Sequence, residues 1–311
     1  MLKPISLAIV STLLTIPTAF ATSVTQDNVI QGDVLQVQLE QVIPTQPSVG
    51  YDQVYYKLGR FDTDKKKLFD EICEANGQRG LAHFDKKASD AHDAASFECK
   101  ESVGSREKDM KTIVIAPNGD YYLTDGHHTF NVFWTMPEGG ADFPVHVVVD
   151  KDYRHLESME AFWDAMIADG NTWLFDSVGQ QILPNDLPKT LGLDNFQNDS
   201  YRSLMYFSRD VGWNKPKQPV PFLEFYWSKE VRQEINLEHY DLESKVGYTE
   251  AITDVSNFLL SLETNDVGGS SKSAKEMGQF ESFDQKGLKK LLREDKGKVS
   301  YMINYKTALN Q

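Results

Sequence analysis

Basic side chains are scarce in this 311-residue sequence: 32 Lys and Arg stand against 46 Asp and Glu, a formal net charge of −14. Duplex DNA is gripped by a basic face that neutralises phosphates, so strong duplex binding is not expected. A small basic pocket on an acidic body is compatible with the same charge. Long apolar runs are missing too. Beyond the N-terminus no stretch approaches the roughly 18 uninterrupted apolar residues that span a bilayer as a helix. No internal repeat or low-complexity tract is present. At 40% hydrophobic and 25% charged residues the composition is ordinary for a globular protein, which excludes wholesale disorder and fibrous architectures. The length suits one large domain or two ordinary ones at about 100–200 residues each.

The first 21 residues read as an address. Lys3 supplies a positive start, Ile5 to Ile16 an apolar stretch, and Ala19-Phe20-Ala21 the small-x-small pattern read by signal peptidase. Cleavage after Ala21 is expected, with a periplasmic or secreted mature chain, net charge −15, that does not engage the membrane. An uncleaved N-terminal anchor is the alternative. Export changes how the two cysteines read. Cys73 and Cys99 are an even count in an oxidising compartment, so a disulfide is expected. It would close a loop of about 27 residues, worth about 3 kcal/mol in the chain-entropy model. The alternative is a free thiol, for which neither Cys has a neighbouring His.

Thr22 to Gly32 is polar and reads as a loose tail. Asp33 to Ile43 alternates apolar and polar residues as a half-buried strand does, and Pro44-Thr45-Gln46-Pro47 stops it in an extended turn. Asp62 or Thr63 is the expected cap of a helix running to about Asn76, with Gly77 just beyond its end. Residues 78–109 read as a long loop with a short helix at most. Lys111 to Ala116, the turn Pro117-Asn118-Gly119-Asp120 and Tyr121 to Thr124 form a hairpin pattern. His127 to Met136 is helix-compatible, and Pro144 to Val149 is a buried strand pattern. Beyond Tyr153 helices are expected over 159–169, 199–209, 222–236, 248–262 and 285–293, with a final strand from Val299 to Tyr305. The fold class expected is α+β: a small mixed-sheet unit over 33–155, then a mainly helical extension over 156–311.

Between hairpin and helix stands Asp125-Gly126-His127-His128-Thr129. A glycine corner lets the backbone approach a ligand, and the helix start offers unpaired N–H groups and a positive dipole end that favour an anion. Two imidazoles in that first turn are biased towards the neutral form, suited to general-base or metal-ligand work. Asp125 could orient one of them or simply make an Asx turn. The bland alternative for both histidines is local hydrogen bonding and solvation. Val42-Ile43-Pro44-Thr45-Gln46-Pro47 and Tyr121 to Phe130 (YYLTDGHHTF) resemble the ParB/sulfiredoxin superfamily, and more closely its exported branch of ParB-like nucleases. That family places a "Q-P" segment before its first helix and a glycine-led tetrad, G-E-R-R or G-C-H-R, after a hairpin. Gly126, His127, His128 and Thr129 take those four places. Tyr201-Arg202-Ser203-Leu204, Phe207-Ser208-Arg209-Asp210 and Glu224-Phe225-Tyr226-Trp227 resemble further segments of the nuclease branch, so the likeness spans roughly residues 40–230.

The departures shape what the resemblance implies. Without Cys at 127, sulfiredoxin thiol chemistry is not available. With Thr at 129, a guanidinium for phosphate must come from elsewhere, and Arg202 and Arg209, seven residues apart, can share a helix face. Glu224, set among aromatics, could be an acid with a raised pKa or an outward-pointing carboxylate. No helix-turn-helix with a basic face is present. His83, Asp85, Asp90, His92 and Asp93 match no zinc or calcium spacing. Gly268-Gly269-Ser270-Ser271-Lys272-Ser273 lacks the glycine a P-loop needs before its lysine. The reading that follows is an exported phosphodiester hydrolase, with His127 or His128 activating water beside Asp125, and Gly126, Thr129, Arg202, Arg209 and Glu224 around the phosphate. A divalent metal fits the donor set but is not demanded. The partner is a phosphorylated small molecule or short, single-stranded nucleic acid, and no protein partner is indicated. The rival readings are a non-catalytic anion- or nucleotide-binding module and a nucleotide-dependent phosphotransferase.

Overall fold

The computed structural model describes residues 29–309 and 311; the expected signal peptide and residues 22–28 of the expected tail lie outside the described residues. Residues 29–32 of that tail are anchored: Val29 is buried, and Gly32 N–H donates to Val149 O at 2.8 Å. Strand β1 (Val34–Gln38) leads through a 3-10 turn over Leu39–Gln41 into β2 (Val42–Ile43). These two neighbours in sequence occupy opposite edges of one sheet. With β6 (Lys111–Ile115), β7 (Tyr121–Leu123) and β8 (Pro144–Asp152) the strand order is β1-β8-β6-β7-β2. β8 and β6 are parallel, as are β7 and β2, while β1 with β8 and β6 with β7 are antiparallel. Four inter-strand gaps of about 4.8 Å could not be bridged by so short a turn if the sheet were flat. The sheet therefore curls until its edges approach one another.

Patterning then decides what lies on each face. Val145, Val147 and Val149 of β8 and Ile113 and Ile115 of β6 point into a core covered by α1 (Tyr51–Thr63), α2 (Lys65–Ala75) and α3 (His127–Thr135). Val114 and Tyr122 point the other way, against Phe162 and Met166 of α4 (Met159–Ala168). Two small pairs complete the strands. β3 (Ser48–Val49) pairs in parallel with β9 (Gln197–Asn198), and β4 (Leu81–Phe84) is antiparallel to β5 (Phe97–Cys99). The rest is helical: α5 (Ser200–Ser208), α6 (Leu223–Glu234), α7 (Lys245–Ser261), α8 (Gln285–Leu291) and α9 (Lys298–Leu309) enclose a second core around Trp213, Trp227 and Tyr248. The fold class is the expected α+β, a curled mixed sheet followed by a mainly helical half. Among the described residues no helix is long and apolar enough to cross a membrane.

One helix has no counterpart among the sequence expectations, and three local expectations are corrected. Helix α1 carries no sequence-visible start, since its N-cap is Gly50 and no side chain caps it, and Gly59 interrupts its pattern. A Cβ at Gly59 would lie 2.5 Å from Tyr301 O, so this glycine is the place where α9 crosses closely. Val299 to Tyr305, expected as a strand, is most of α9; Val299, Ser300 and Met302 are buried there against the helical core. Burial against helices decides the conformation over the β-branched and aromatic content of that run. The expected cap of α2 moves to Asp64, whose carboxylate accepts from Lys66 N–H, while Asn76 and left-handed Gly77 close the helix as expected. Within 78–109 the strands β4 and β5 replace part of the expected loop, and the Cys73–Cys99 disulfide ties β5 to α2.

Candidate functional site

The site grows from the buried strap of residues 44–50. A buried loop must find partners for its backbone, and Pro44 and Pro47 remove two donors from the problem. Both remaining ends are met by the twin histidines. Thr45 N–H donates to His127 Nε2 at 3.0 Å, and Gly50 N–H donates to His128 Nε2 at 3.0 Å. Thr45 Oγ1 donates to Leu123 O at 2.6 Å, while Thr45 O accepts from Trp173 N–H and Thr172 Oγ1, each at 2.9 Å. The strap's far end pairs with β9 and positions Asp199, which caps α5 through Arg202 N–H at 2.9 Å. One segment thus holds α3 and α5 in register.

Gly126 makes the corner that aims α3. Its φ of 109° is left-handed, a conformation glycine adopts without strain, and a Cβ would stand 2.6 Å from Lys111 Cγ. No side chain caps the helix start. His127 is 3% exposed. Burial depresses its imidazole to about 3, against a smaller upward pull from Asp125. His128 is half-buried and lies well below the usual histidine value, through burial first and Arg202 second, with Glu224 pulling the other way. Because each Nε2 accepts an N–H, each ring is neutral and carries its proton on Nδ1. Asp125 is directed outward, its side chain 66% exposed and paired with Lys111 at 3.3 Å. Thr129 follows half-buried in the same turn.

The predicted residues of the helical half converge on this corner. Glu224, in the first turn of α6, is buried; Arg209 Nη2 donates to its Oε1 at 2.7 Å, and Arg202 Nη2 stands 3.7 Å from its Oε2. Lys215, which sequence reasoning missed, completes the group 4.0 Å from Oε1. Nothing in Asn214-Lys215-Pro216-Lys217 distinguishes it beforehand; only the fold brings it in. Burial pushes the Glu224 carboxyl up, but Arg202, Lys215 and Arg209 outweigh that and hold it well below the usual carboxylate range. It is therefore an ionised anchor, the opposite of a raised-pKa acid. Arg202 donates from Nη1 to Gln53 Oε1 at 3.1 Å, and its buried Nε has no hydrogen-bond partner. Three cations share one carboxylate, so the cluster keeps a positive excess inside an acidic protein. A second pair, half-buried Arg232 with buried Asp199 at 3.1 Å, holds α6 to the α5 cap.

Among the described residues no three His, Cys, Asp or Glu side chains gather closely enough to hold a metal ion. The corner has cations, a helix start without a side-chain cap and neutral imidazoles, a combination that suits a negatively charged oxygen.

Comparisons with known proteins agree with this architecture. No curated protein matches the chain. Among solved structures, protein Atu1540 from Agrobacterium tumefaciens superposes with a TM-score of 0.51 at 19% identity, covering 74% of this chain and 91% of that one, a likeness of fold. A family model described as "Putative ParB-like nuclease" matches residues 35–233, which contain the strap, the Gly126 corner and all four members of the Arg202–Arg209–Lys215–Glu224 cluster. With most of its length under that match, the chain belongs to the ParB-like nuclease family.

Proposed function

We propose that this chain is an exported phosphodiester hydrolase acting on short or single-stranded nucleic acid or a phosphorylated small molecule. The observation that carries the reading is the cluster of Arg202, Arg209 and Lys215 around one ionised carboxylate beside the α3 start. Planar guanidinium groups and helix N–H groups suit phosphate oxygens and the charge that grows on them during displacement. His127 is a positioning residue, spent on Thr45 and buried. His128 faces the cluster and is the candidate for water activation; to take a proton it releases Gly50 N–H, and an arriving phosphate raises its basicity. Export rests on the Lys3 to Ala21 pattern, and N-terminal sequencing of the mature protein should begin at Thr22.

The binding-module reading has one observation in its favour: both imidazole lone pairs are already engaged with backbone N–H groups. An assay of the mature chain on single-stranded DNA, RNA and bis(p-nitrophenyl) phosphate, with and without Mg²⁺, Mn²⁺ or Zn²⁺, separates the two. H128Q keeps an acceptor for Gly50 N–H and cannot serve as the base, so it should lower turnover 100-fold or more. Undiminished turnover in H128Q removes His128 from the chemistry. No turnover on any substrate, with a melting temperature raised by nucleotide, makes the protein a binding module.

A further inference from the structure

Arg209 has a second face. Its guanidinium carbon lies 4.9 Å from the ring centre of Tyr206, and Lys298 Nζ lies 4.6 Å from the same centre, so the two charges are within about 9.5 Å of each other. Lys298 makes no ion pair among the described residues. Arg209, Lys57 and Lys290 act against its charge and Asp210 acts for it, and Lys57 is already committed to both carboxylate oxygens of Glu71 at 2.6 Å. Burial first, then Arg209, push the Lys298 ammonium down to about 8. Its place in the helix is also unfavourable. It opens α9, whose first turn holds no acidic residue, where the dipole repels a cation and attracts an anion. The like-charged neighbours and the place at the helix start are unfavourable for the protein alone and become favourable when an anion arrives.

We propose that Lys298 and Arg209, across the ring of Tyr206, form a second phosphate subsite that takes the phosphate next to the scissile one in an oligonucleotide. The inference rests on the phosphodiester reading above and narrows its substrate to nucleic acid of at least two phosphates. Lys298 lies outside the family match at 35–233, so the subsite is a contribution of the helical C-terminal half.

The test compares the dinucleotide TpT with its 5′- and 3′-phosphorylated forms, pTpT and TpTp, by calorimetric titration of the mature chain. One phosphorylated form should bind 5- to 20-fold more tightly than TpT, with a salt dependence steeper by about 0.7 in log–log slope, the signature of one more neutralised phosphate on a single strand. K298Q should abolish that gain and K298R should keep it, with melting temperatures reporting that both variants fold. If TpT binds but neither added phosphate helps, the subsite is refuted while the phosphodiester reading stands. A gain that survives K298Q refutes the role of Lys298. Should none of the three ligands bind, both readings fall.

Discussion

Glu224→Gln is the most informative single change. Glutamine keeps the shape of the side chain and removes the charge that Arg209 meets at 2.7 Å and Arg202 at 3.7 Å. Arg202 is 6% exposed and keeps the neutral Gln53 oxygen and the more distant Asp199 charge, so it loses the larger part of its compensation. Removing one partner of a buried pair destabilises by about 3–5 kcal/mol. Lys215 adds little, because its side chain is 58% exposed and solvent screens it. Urea denaturation at pH 7 should therefore show a loss of about 3–4 kcal/mol. Phosphate should then do more for the variant than for the parent, since the cations no longer have a carboxylate charge to meet. At 100 times its dissociation constant it restores about 2.7 kcal/mol, with chloride at equal ionic strength as the control. A loss below about 1 kcal/mol, smaller than a buried pair predicts, or an equal phosphate effect on both proteins, would show that Glu224 neither anchors these cations nor competes with an anion for them.

Two further predictions concern stability. His127 has a folded value of about 3 against an ordinary 6.5, so the unfolded chain takes up the proton first as pH falls. Its contribution is complete above 6.5 and is lost towards 3; by pH 4.5 the loss is about 2–3 kcal/mol. Urea midpoints at pH 7, 5.5 and 4.5 should fall accordingly, and the slope should flatten in H127Q; an unchanged slope there places the acid sensitivity elsewhere. The paired substitution C73A/C99A should lower stability by about 3 kcal/mol in the same assay, and a full complement of two free thiols in unreduced, denatured wild-type protein would contradict the bridge.

Much of the site is legible in the chain because its signals are local. The proline-bounded strap, the glycine corner and the paired histidines each prescribe a backbone state from their own chemistry, and the structure brings them together with Arg202, Arg209 and Glu224. The roles are less legible than the positions. Nothing in DGHHT says that both Nε2 atoms accept strap N–H groups, because those donors lie 78 and 82 residues away in sequence. Glu224 among aromatics suggests a raised pKa, yet three cations from other segments reverse the sign. Helices α1 and α9 were obscured by one contact. No element is expected over α1 and a strand is expected over Val299 to Tyr305, and each makes sense only when packed on the other. Lys215 and Lys298 carry no sequence signal at all; their meaning is the field they enter.

The bare backbone at Gly59 also sets an order of events. The helix it belongs to is made early, whereas the twelve residues that cover it follow only after the whole intervening chain. Until they arrive, that early surface has nothing to rest on, so the first core cannot close before the helical half has been made. A nascent chain held open in this way is one that chaperones can keep loose, and on the proposed route out of the cell a translocation channel would receive it still threadable.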